Sequence, residues 1–159
     1  MPITEDKVKK AVEGWMENRG FKEVKARLGT EKGHDVEGVS PVSGKKLVVE
    51  CKGETDAPNQ WDRAWRNACY ALFDSIKGIE NPQNVDEVAM ALPDTENYRK
   101  RMQGLQAFCK RQRIAVYWVS EDDMVQPWSD DGSAETDPVA ASEKIEWRQP
   151  GLSNLARPT

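Results

Sequence analysis

The sequence predicts an α/β domain in which helices flank a mixed, five-stranded β-sheet. Short apolar or alternating runs, typical of strands, are interspersed with longer segments whose apolar residues recur at helical spacing. The elements follow the order α-β-β-β-α-β-α-β, and the later β-α-β steps favour parallel strands covered by helices. The length of 159 residues suits one domain, and an apolar fraction of 38% is enough to form a core.

The first helix is predicted between Thr4 and Gly20. Thr4 is a favourable N-cap, the acidic residues after it suit the positive end of the helix dipole, and Gly20 suits a helix end. The apolar residues of this segment recur at helical spacing: Val8, Ala11, Val12, Trp15 and Met16. This pattern predicts an amphipathic helix that packs on a sheet.

Three strands are predicted to follow the first helix, over residues 21–28, 34–40 and 46–51. The pair Ser43–Gly44 forms the turn between the second strand and the third. Because this connection is short, the second and third strands are expected to be antiparallel neighbours.

A long helix is predicted near Gln60–Lys77 and is expected to end at Gly78. A strand over residues 87–92, a helix capped by Thr95 and a fully apolar strand over residues 114–119 complete the sheet. The inner face of the long helix is predicted to contain Trp61, Trp65, Ala68, Cys69, Leu72 and Ile76. The inner face of the later helix is predicted to contain Tyr98, Met102, Leu105 and Cys109.

The charge of the chain is divided unevenly. The formal net charge is −4, but residues 1–120 contain 20 basic and 18 acidic residues, whereas residues 121–159 contain 3 basic and 9 acidic ones. The folded domain is predicted to span residues 1–125. Residues 126–159, which are acidic and contain Pro, Ser and Asp, are predicted to form a tail or loose extension.

Cysteine and histidine usage limits the classes of site. The three cysteines are widely spaced and form no CxxC pair, which is typical of a reduced, cytoplasmic protein. A single histidine, His34, excludes a multi-histidine zinc site. No apolar run approaches the roughly 20 residues of a membrane-spanning helix, and the N-terminus lacks a signal-peptide core, so no membrane association is expected.

Charged residues occupy strand positions in the stretch GHDVEGVSPVSGKKLVVECKGE, residues 33–54. Glu50 and Lys52 are two residues apart at the end of one predicted strand, so their side chains share a face. Asp35 lies on the antiparallel neighbour and is expected to come alongside Glu50. The chain has three Glu-x-Lys triplets, and Glu50–Lys52 is the one that has an aspartate on the preceding predicted strand and apolar residues directly before it.

Two adjacent carboxylates repel each other, and a divalent cation relieves this repulsion. Mg²⁺, for which Mn²⁺ can substitute, prefers oxygen ligands and binds one or two carboxylates together with waters and phosphate oxygens. Such an ion lowers the pKa of a bound water and neutralises charge on a phosphorus centre. Asp35 and Glu50 are therefore predicted to bind Mg²⁺, and Lys52 to orient the water or stabilise the developing oxyanion during phosphodiester hydrolysis.

Asp35, followed fifteen residues later by Glu50–Cys51–Lys52, resembles the motif of the PD-(D/E)xK superfamily of restriction-endonuclease-like nucleases. The predicted element order over residues 4–120 resembles the same superfamily. The resemblance implies a three-layer restriction-endonuclease-like core and a Mg²⁺-dependent endonuclease or exonuclease acting on DNA. It also implies that Lys52 is the catalytic lysine and that the backbone carbonyl of Cys51 completes the metal site. Many such nucleases act as dimers, so a homodimer is one expected assembly.

Several alternatives stay open from the sequence. Either Glu5 or Glu13 of the first helix supplies the glutamate that many members of this superfamily carry there, and Asp74 falls roughly where some relatives have a glutamine. A noncatalytic nucleic-acid-binding or assembly module on the same fold is the alternative function, and RNA stays open as a substrate. His34 stands where the motif's proline would be and is expected to be structural or exposed.

Other polar and aromatic residues also have two interpretations. Glu37 lies an even number of residues from Asp35, and Glu54 an even number from Glu50, so they could share their face of the sheet. They are expected to be solvated carboxylates and not additional, outer metal ligands. The two tryptophans of the long helix are expected to pack in the core and not to stack on bases. One basic set is either a phosphate-contacting patch or a solvated face: Arg99, Lys100, Arg101, Lys110, Arg111 and Arg113.

Overall fold

The computed structural model describes residues 2–56, 58–80 and 87–128 of the chain. The helices and strands, in chain order, are α1 (Glu5–Asn18), β1 (Lys22–Ala26), β2 (Val36–Val39), β3 (Lys46–Cys51), α2 (Gln60–Glu80), β4 (Glu87–Pro93), α3 (Glu96–Met102), α4 (Gln106–Arg111), β5 (Ile114–Val119) and β6 (Val125–Pro127). The α/β class and the mixed sheet are confirmed, but the described part of the chain forms six strands instead of the five predicted.

The six strands lie in sequence order across one sheet, from β1 to β6. The pairs β1–β2 and β2–β3 are antiparallel, β3–β4 and β4–β5 are parallel, and β5–β6 is antiparallel. Helices lie in the connections of the two parallel pairs, because parallel strands need a crossover. The carboxyl ends of β3, β4 and β5 therefore meet at one end of the sheet.

Helices cover both faces of this sheet. Side chains alternate along a strand, so each central strand contributes to two cores. On one face, α1 packs against a core that includes Val49 and Cys51 of β3. On the other face, α2, α3 and α4 pack against a core that includes Met90 of β4 and Trp118 of β5. In the described part of the chain, no helix is both long enough and apolar enough to cross a membrane.

The sixth strand lies where the sequence predicted the start of an acidic tail. Within β6, Pro127 is the partner of Tyr117 in β5, and Trp128 packs edge-on against Trp118 with ring centroids 5.4 Å apart. Pro127 lacks a backbone donor, which an edge strand tolerates but which makes the strand hard to recognise from sequence. The rest of the predicted tail, residues 129–159, lies outside the described residues.

Two helices differ from their predicted bounds. α2 does not end at Gly78 but continues to Glu80. The single helix predicted after Thr95 is divided into α3 and α4. Gly104 lies in the break between them, and glycine is among the weakest helix formers. The predicted apolar stripe nevertheless continues across the break, because Tyr98, Met102 and Cys109 are all buried in one core.

Among the described side chains of α2, the buried ones are small, and the larger Leu72 and Ile76 are only partly buried against the core that this helix covers. The buried side chains of α2 are Ala64, Ala68, Ala71 and Ser75. Trp65 is 36% exposed, and the guanidinium of Arg101 lies 5.7 Å from the centre of its ring. The prediction that Trp65 packs in the core is therefore wrong, because small side chains let α2 lie close to the sheet and turn Trp65 outward. The side chain of Trp61 lies outside the described part of the structure.

Candidate metal centre

Asp35 lies immediately before β2, where backbone pairing with β3 stops. The register pairs Val36 with Val49 and directs the preceding residue toward the end of β3. The carboxylate of Asp35 replaces a backbone partner there, because its Oδ2 accepts a hydrogen bond from the backbone N–H of Cys51 at 2.8 Å. The carbonyl oxygen of Asp35 accepts the backbone N–H of Arg27, also at 2.8 Å. These contacts explain why β2 begins later than predicted, and they fix the carboxylate at the end of β3.

Glu50 and Lys52 lie at the same end of the sheet. The ammonium of Lys52 donates a hydrogen bond to Glu50 Oε1, and its nitrogen lies 3.9 Å from Asp35 Oδ2. All three side chains are mostly buried, with 15–22% of their surface exposed. The structure thus brings together the three side chains predicted to be catalytic, around one cationic nitrogen.

A second lysine joins this cluster from α1 and was missed by the sequence analysis. The Lys9 ammonium lies 2.8 Å from Asp35 Oδ1 and 2.8 Å from Glu5 Oε1. Lys9 is only 3% exposed. Burial alone would lower the pKa of Lys9, but its hydrogen bonds to Asp35 and Glu5 and their negative charges raise it above the ordinary value. The sequence signal was weak but present: a lysine four residues after Glu5, directly beside the apolar stripe.

The structure distinguishes between the two glutamates of α1. Glu5 pairs with Lys9 and so belongs to the cluster. Glu13 instead accepts the backbone N–H of Ala26 at 3.1 Å, which places its carboxylate at the end of β1. Of the two candidates that the sequence left open, Glu5 is the one that lies at the site.

Cys51 contributes its backbone to the cluster and its side chain to the core. Its thiol is fully buried among the apolar residues on the α1 face, and burial raises the pKa of this thiol well above its ordinary value. The Cys51 thiol therefore stays protonated near neutral pH. Its backbone N–H holds the Asp35 carboxylate, whereas metal ligation by its carbonyl stays a prediction.

Burial and neighbouring charges raise the pKa of the Glu50 carboxyl. Burial is the largest cause, the negative charges of Asp35 and Asp74 act in the same direction, and the Lys52 ammonium opposes them. The pKa of Lys52 is also raised: burial lowers it, but the hydrogen bond to Glu50 and the charges of Glu50 and Asp35 outweigh burial. Lys52 therefore remains an ammonium ion near neutral pH.

The segment after β3 is anchored on both sides. The carbonyl of Gly53 accepts hydrogen bonds from the Tyr98 hydroxyl at 2.9 Å and from the Asn67 amide at 3.2 Å. Burial is the main cause that raises the pKa of Tyr98 to about 12, so this hydroxyl keeps its proton and donates. On the other side, the backbone at the start of α1 lies directly against Gly53. These contacts hold the backbone next to Lys52 in place.

We expect Gly53→Ala to destabilise the protein by about 1–3 kcal/mol, the usual cost of overpacking. A Cβ on this residue would lie 2.0 Å from the backbone nitrogen of Glu5 and 2.4 Å from the carbonyl carbon of Thr4, so α1 would have to move away from β3. Urea unfolding measures the change. Gly104→Ala is the control, because no atom lies within 4 Å of its added Cβ. Equal losses of stability in the two variants would contradict this explanation.

The remaining polar residues named from the sequence have structural contacts. Glu37 is not solvated as predicted, because it is half-buried between Arg27 at 3.1 Å and Lys46 at 3.5 Å. Glu54 Oε2 accepts the backbone N–H of Ile3 at 3.3 Å. The prediction of a solvated carboxylate is therefore wrong for Glu37, whereas for Glu54, which is partly exposed, it stays a prediction.

His34 and Asp74 lie at the edges of the site. The carbonyl of His34 accepts a hydrogen bond from the Arg27 guanidinium at 2.9 Å, and this backbone contact holds the loop that leads to Asp35. Asp74 on α2 pairs with Lys77 at 3.3 Å and is close enough to Glu50 to raise its pKa. Asp74 thus adds negative charge to the α2 side of the cluster.

The donor set at the end of β3 fits a hard divalent cation. One carboxylate oxygen of Asp35 and one of Glu50 lie within 4 Å of the Lys52 ammonium nitrogen. Carboxylate oxygens are the ligand atoms that Mg²⁺ prefers. Within residues 2–56, 58–80 and 87–128, no three His, Cys, Asp or Glu side chains are grouped so as to hold a metal ion. A bound Mg²⁺ would therefore rely on two carboxylates, with backbone, water or substrate oxygens as its other ligands.

Two carboxylates, Glu50 of β3 and Glu37 of β2, are expected to respond oppositely to pH in metal-free protein. The pKa of Glu50 is raised, so its contribution to stability is full below the unfolded value of 4.5 and is lost as pH rises through the raised pKa. The pKa of Glu37 is lowered, because Arg27 and Lys46 outweigh the raising effect of burial. Its contribution is present above 4.5 and is lost as pH falls through the lowered pKa.

The free energy of unfolding is measured between pH 3 and 8, with a chelator present, for wild type, Glu50→Gln and Glu37→Gln. The value of each variant is subtracted from that of wild type at every pH. We expect the Glu50 difference to fall as pH rises and the Glu37 difference to increase. Parallel trends for the two carboxylates would show that the charges around Glu50 are not arranged as described.

Comparison of the chain with protein-family models, with curated proteins and with solved structures finds no match.

Proposed function

We propose that this protein is a metal-dependent nuclease with a restriction-endonuclease-like core that hydrolyses phosphodiester bonds in DNA. The observation that carries the proposal is the convergence of two carboxylates and an ammonium at one end of the sheet. Asp35 and Glu50 share the Lys52 cation there, and a backbone N–H orients one of the two carboxylates. The sheet covered by helices on both faces is compatible with the three-layer core that the motif implies.

In this proposal Asp35 and Glu50 hold a Mg²⁺ ion, for which Mn²⁺ is a substitute. The ion, when bound, supplies a Lewis acid that acidifies a water molecule and neutralises phosphate charge. Lys52, which carries three N–H donors on a flexible stem, donates a hydrogen bond to the attacking water or to a phosphate oxygen. The Cys51 N–H keeps the Asp35 carboxylate oriented, and the contacts of Gly53 hold the backbone beside Lys52 in place.

The choice of DNA rests on the resemblance of the motif, with limited support from surface charge. In the basic set on α3 and α4, Arg99 pairs with Asp94 at 2.7 Å and its guanidinium lies 4.2 Å from the centre of the Trp118 ring. Arg111 and Arg113 are exposed. The patch therefore offers exposed cations for phosphate contacts, although part of it serves the fold.

The direct test is a cleavage assay with purified protein. Linear, nicked, branched and single-stranded DNA, and RNA as a further substrate, are incubated with Mg²⁺, with Mn²⁺ or with a chelator. We expect divalent-dependent cleavage of at least one DNA. Absence of cleavage under every condition, or cleavage that a chelator leaves unchanged, would reject the proposal.

One observation favours a second function, a noncatalytic nucleic-acid-binding or assembly module. Lys9 and Lys52 already pair with the three carboxylates of the cluster and compensate most of their charge. Calorimetry with Mg²⁺ separates the two functions. A nuclease binds the ion in the presence of nucleic acid, whereas a module of this kind binds nucleic acid without it.

A further inference from the structure

Lys9 is the most deeply enclosed charge in the described cluster. Its side chain is 4% exposed, compared with 16% for Lys52 and 44% for Glu5. An ammonium that is this well buried is costly unless its donors are satisfied. Two of the three Lys9 donors face carboxylate oxygens at 2.8 Å, Glu5 Oε1 and Asp35 Oδ1.

The two oxygens of Asp35 face different cations. Oδ1 contacts Lys9, whereas Oδ2 accepts the Cys51 N–H and lies 3.9 Å from Lys52. Asp35 is therefore a bridging carboxylate with a cation on each side. In two-metal hydrolytic sites, bridging carboxylates likewise lie between two ions about 3.5–4 Å apart.

The two lysines differ in how firmly each is held. Lys9 lies in the second turn of α1 and pairs with Glu5 one turn earlier, so a helix holds its nitrogen in place. Lys52 lies just beyond the end of β3, is more exposed, and lies too far from Asp35 for a hydrogen bond. An incoming cation can therefore displace Lys52 from the carboxylates more easily than Lys9.

We propose that Lys9 is a built-in cation that occupies the place of a second divalent ion, so that the site binds one divalent ion, on the Oδ2 side of Asp35. This inference rests on the proposed metal-dependent function and specifies its stoichiometry. Lys9 acts as a positioning residue for Asp35, because its buried ammonium contacts that carboxylate.

The charge of the cluster agrees with a single ion. Three carboxylates and two ammonium groups give a net charge of −1. One divalent ion brings the sum to +1, which matches the single negative charge of a phosphodiester. A second divalent ion would bring it to +3 in a half-buried space, where like charges repel strongly.

The test is a calorimetric titration with Mn²⁺ alone on wild type, Lys9→Met and Lys10→Met. Removing the Lys9 ammonium leaves the oxygens of Glu5 and Asp35 without their shared cation, so we expect Lys9→Met to bind one more Mn²⁺ than wild type. Lys10→Met, an exposed neighbour on α1, is the control and should match wild type. Adding Glu5→Gln to Lys9→Met should remove the additional ion.

The outcomes separate this inference from the proposed function. One ion in wild type and two in Lys9→Met support both. Equal numbers of ions in wild type and Lys9→Met, or two in wild type, overturn the role of Lys9. No ion in wild type, with or without added DNA, and one in Lys9→Met supports Lys9 as a replacement cation but contradicts the metal-dependent function.

Lys9→Met leaves two carboxylates without their cation and is itself expected to lower stability. If it does not fold without metal, Lys9→Gln and its melting temperature with and without Mn²⁺ replace the titration. We expect Mn²⁺ to raise the melting temperature of Lys9→Gln more than that of wild type, because binding to the folded state stabilises it. Equal shifts in both proteins overturn the inference.

Discussion

Asp35→Asn is expected to lower Mg²⁺-dependent cleavage about 10³-fold or more and to weaken Mn²⁺ binding in parallel. The loss in rate corresponds to several kcal/mol of charge stabilisation that a metal ion supplies to the transition state. The amide oxygen still accepts the Cys51 N–H that now lies 2.8 Å from the carboxylate, so the end of β3 keeps its partner. The variant keeps the shape of the side chain, but its NH₂ group faces the Lys9 ammonium in place of Oδ1, so some loss of stability is expected together with the loss of charge. The measurements are single-turnover cleavage and calorimetry.

Glu37→Gln is the matched control for Asp35→Asn. Glu37 is as buried as Asp35, with 15% of its side chain exposed, and has its own ion pairs with Arg27 and Lys46. Replacing the Glu37 carboxylate by an amide is expected to reduce stability while leaving the rates of cleavage and the affinity for Mn²⁺ near those of wild type. Asp35→Asn protein that cuts DNA at the wild-type rate would show that this carboxylate is not a metal ligand.

Lys52→Met is expected to separate metal binding from catalysis. Removing one positioned donor to a developing oxyanion typically costs about 10²–10³ in rate. The same change frees the Glu50 carboxylate from its present cation, so Mn²⁺ binding is expected to stay equal or become tighter. This pattern differs from that of Asp35→Asn, in which binding and cleavage are lost together.

Lys46→Met is the control for Lys52→Met because both lysines belong to the β3 segment, and Lys46 pairs with Glu37 at the far end of the strand. Cleavage by Lys46→Met should remain close to wild type. If Lys52→Met loses Mn²⁺ binding as completely as Asp35→Asn, Lys52 supports the structure of the site and does not assist the reaction.

Much of the fold could be predicted because local patterns agreed with the final packing. The apolar stripe of the first helix and the short turn between β2 and β3 are local signals, and both reflect the observed structure. The sixth strand was missed because Pro127 and the acidic residues nearby resemble a loop, while its pairing with β5 depends on distant contacts. Trp65 was misplaced because the helical stripe did not indicate which of two overlapping faces would meet the sheet.

The convergence of the candidate site was predictable for a different reason. Side-chain alternation on β3 and a short connection between antiparallel strands were sufficient to bring Asp35, Glu50 and Lys52 together. Lys9 was not predictable from the same rules, because its role depends on where α1 crosses the sheet. Its partner Asp35 lies 26 residues further along the chain, and no local spacing relates the two.

Whether Asp35 and Glu50 together bind a divalent ion is tested most directly with a crystal soaked in Mn²⁺, in which anomalous diffraction locates the ion. We expect one anomalous peak between the carboxylates of Asp35 and Glu50, with the Lys52 nitrogen moved aside and Lys9 unmoved. A well-ordered site with no peak there, or Mn²⁺ bound only elsewhere on the protein, would contradict this prediction.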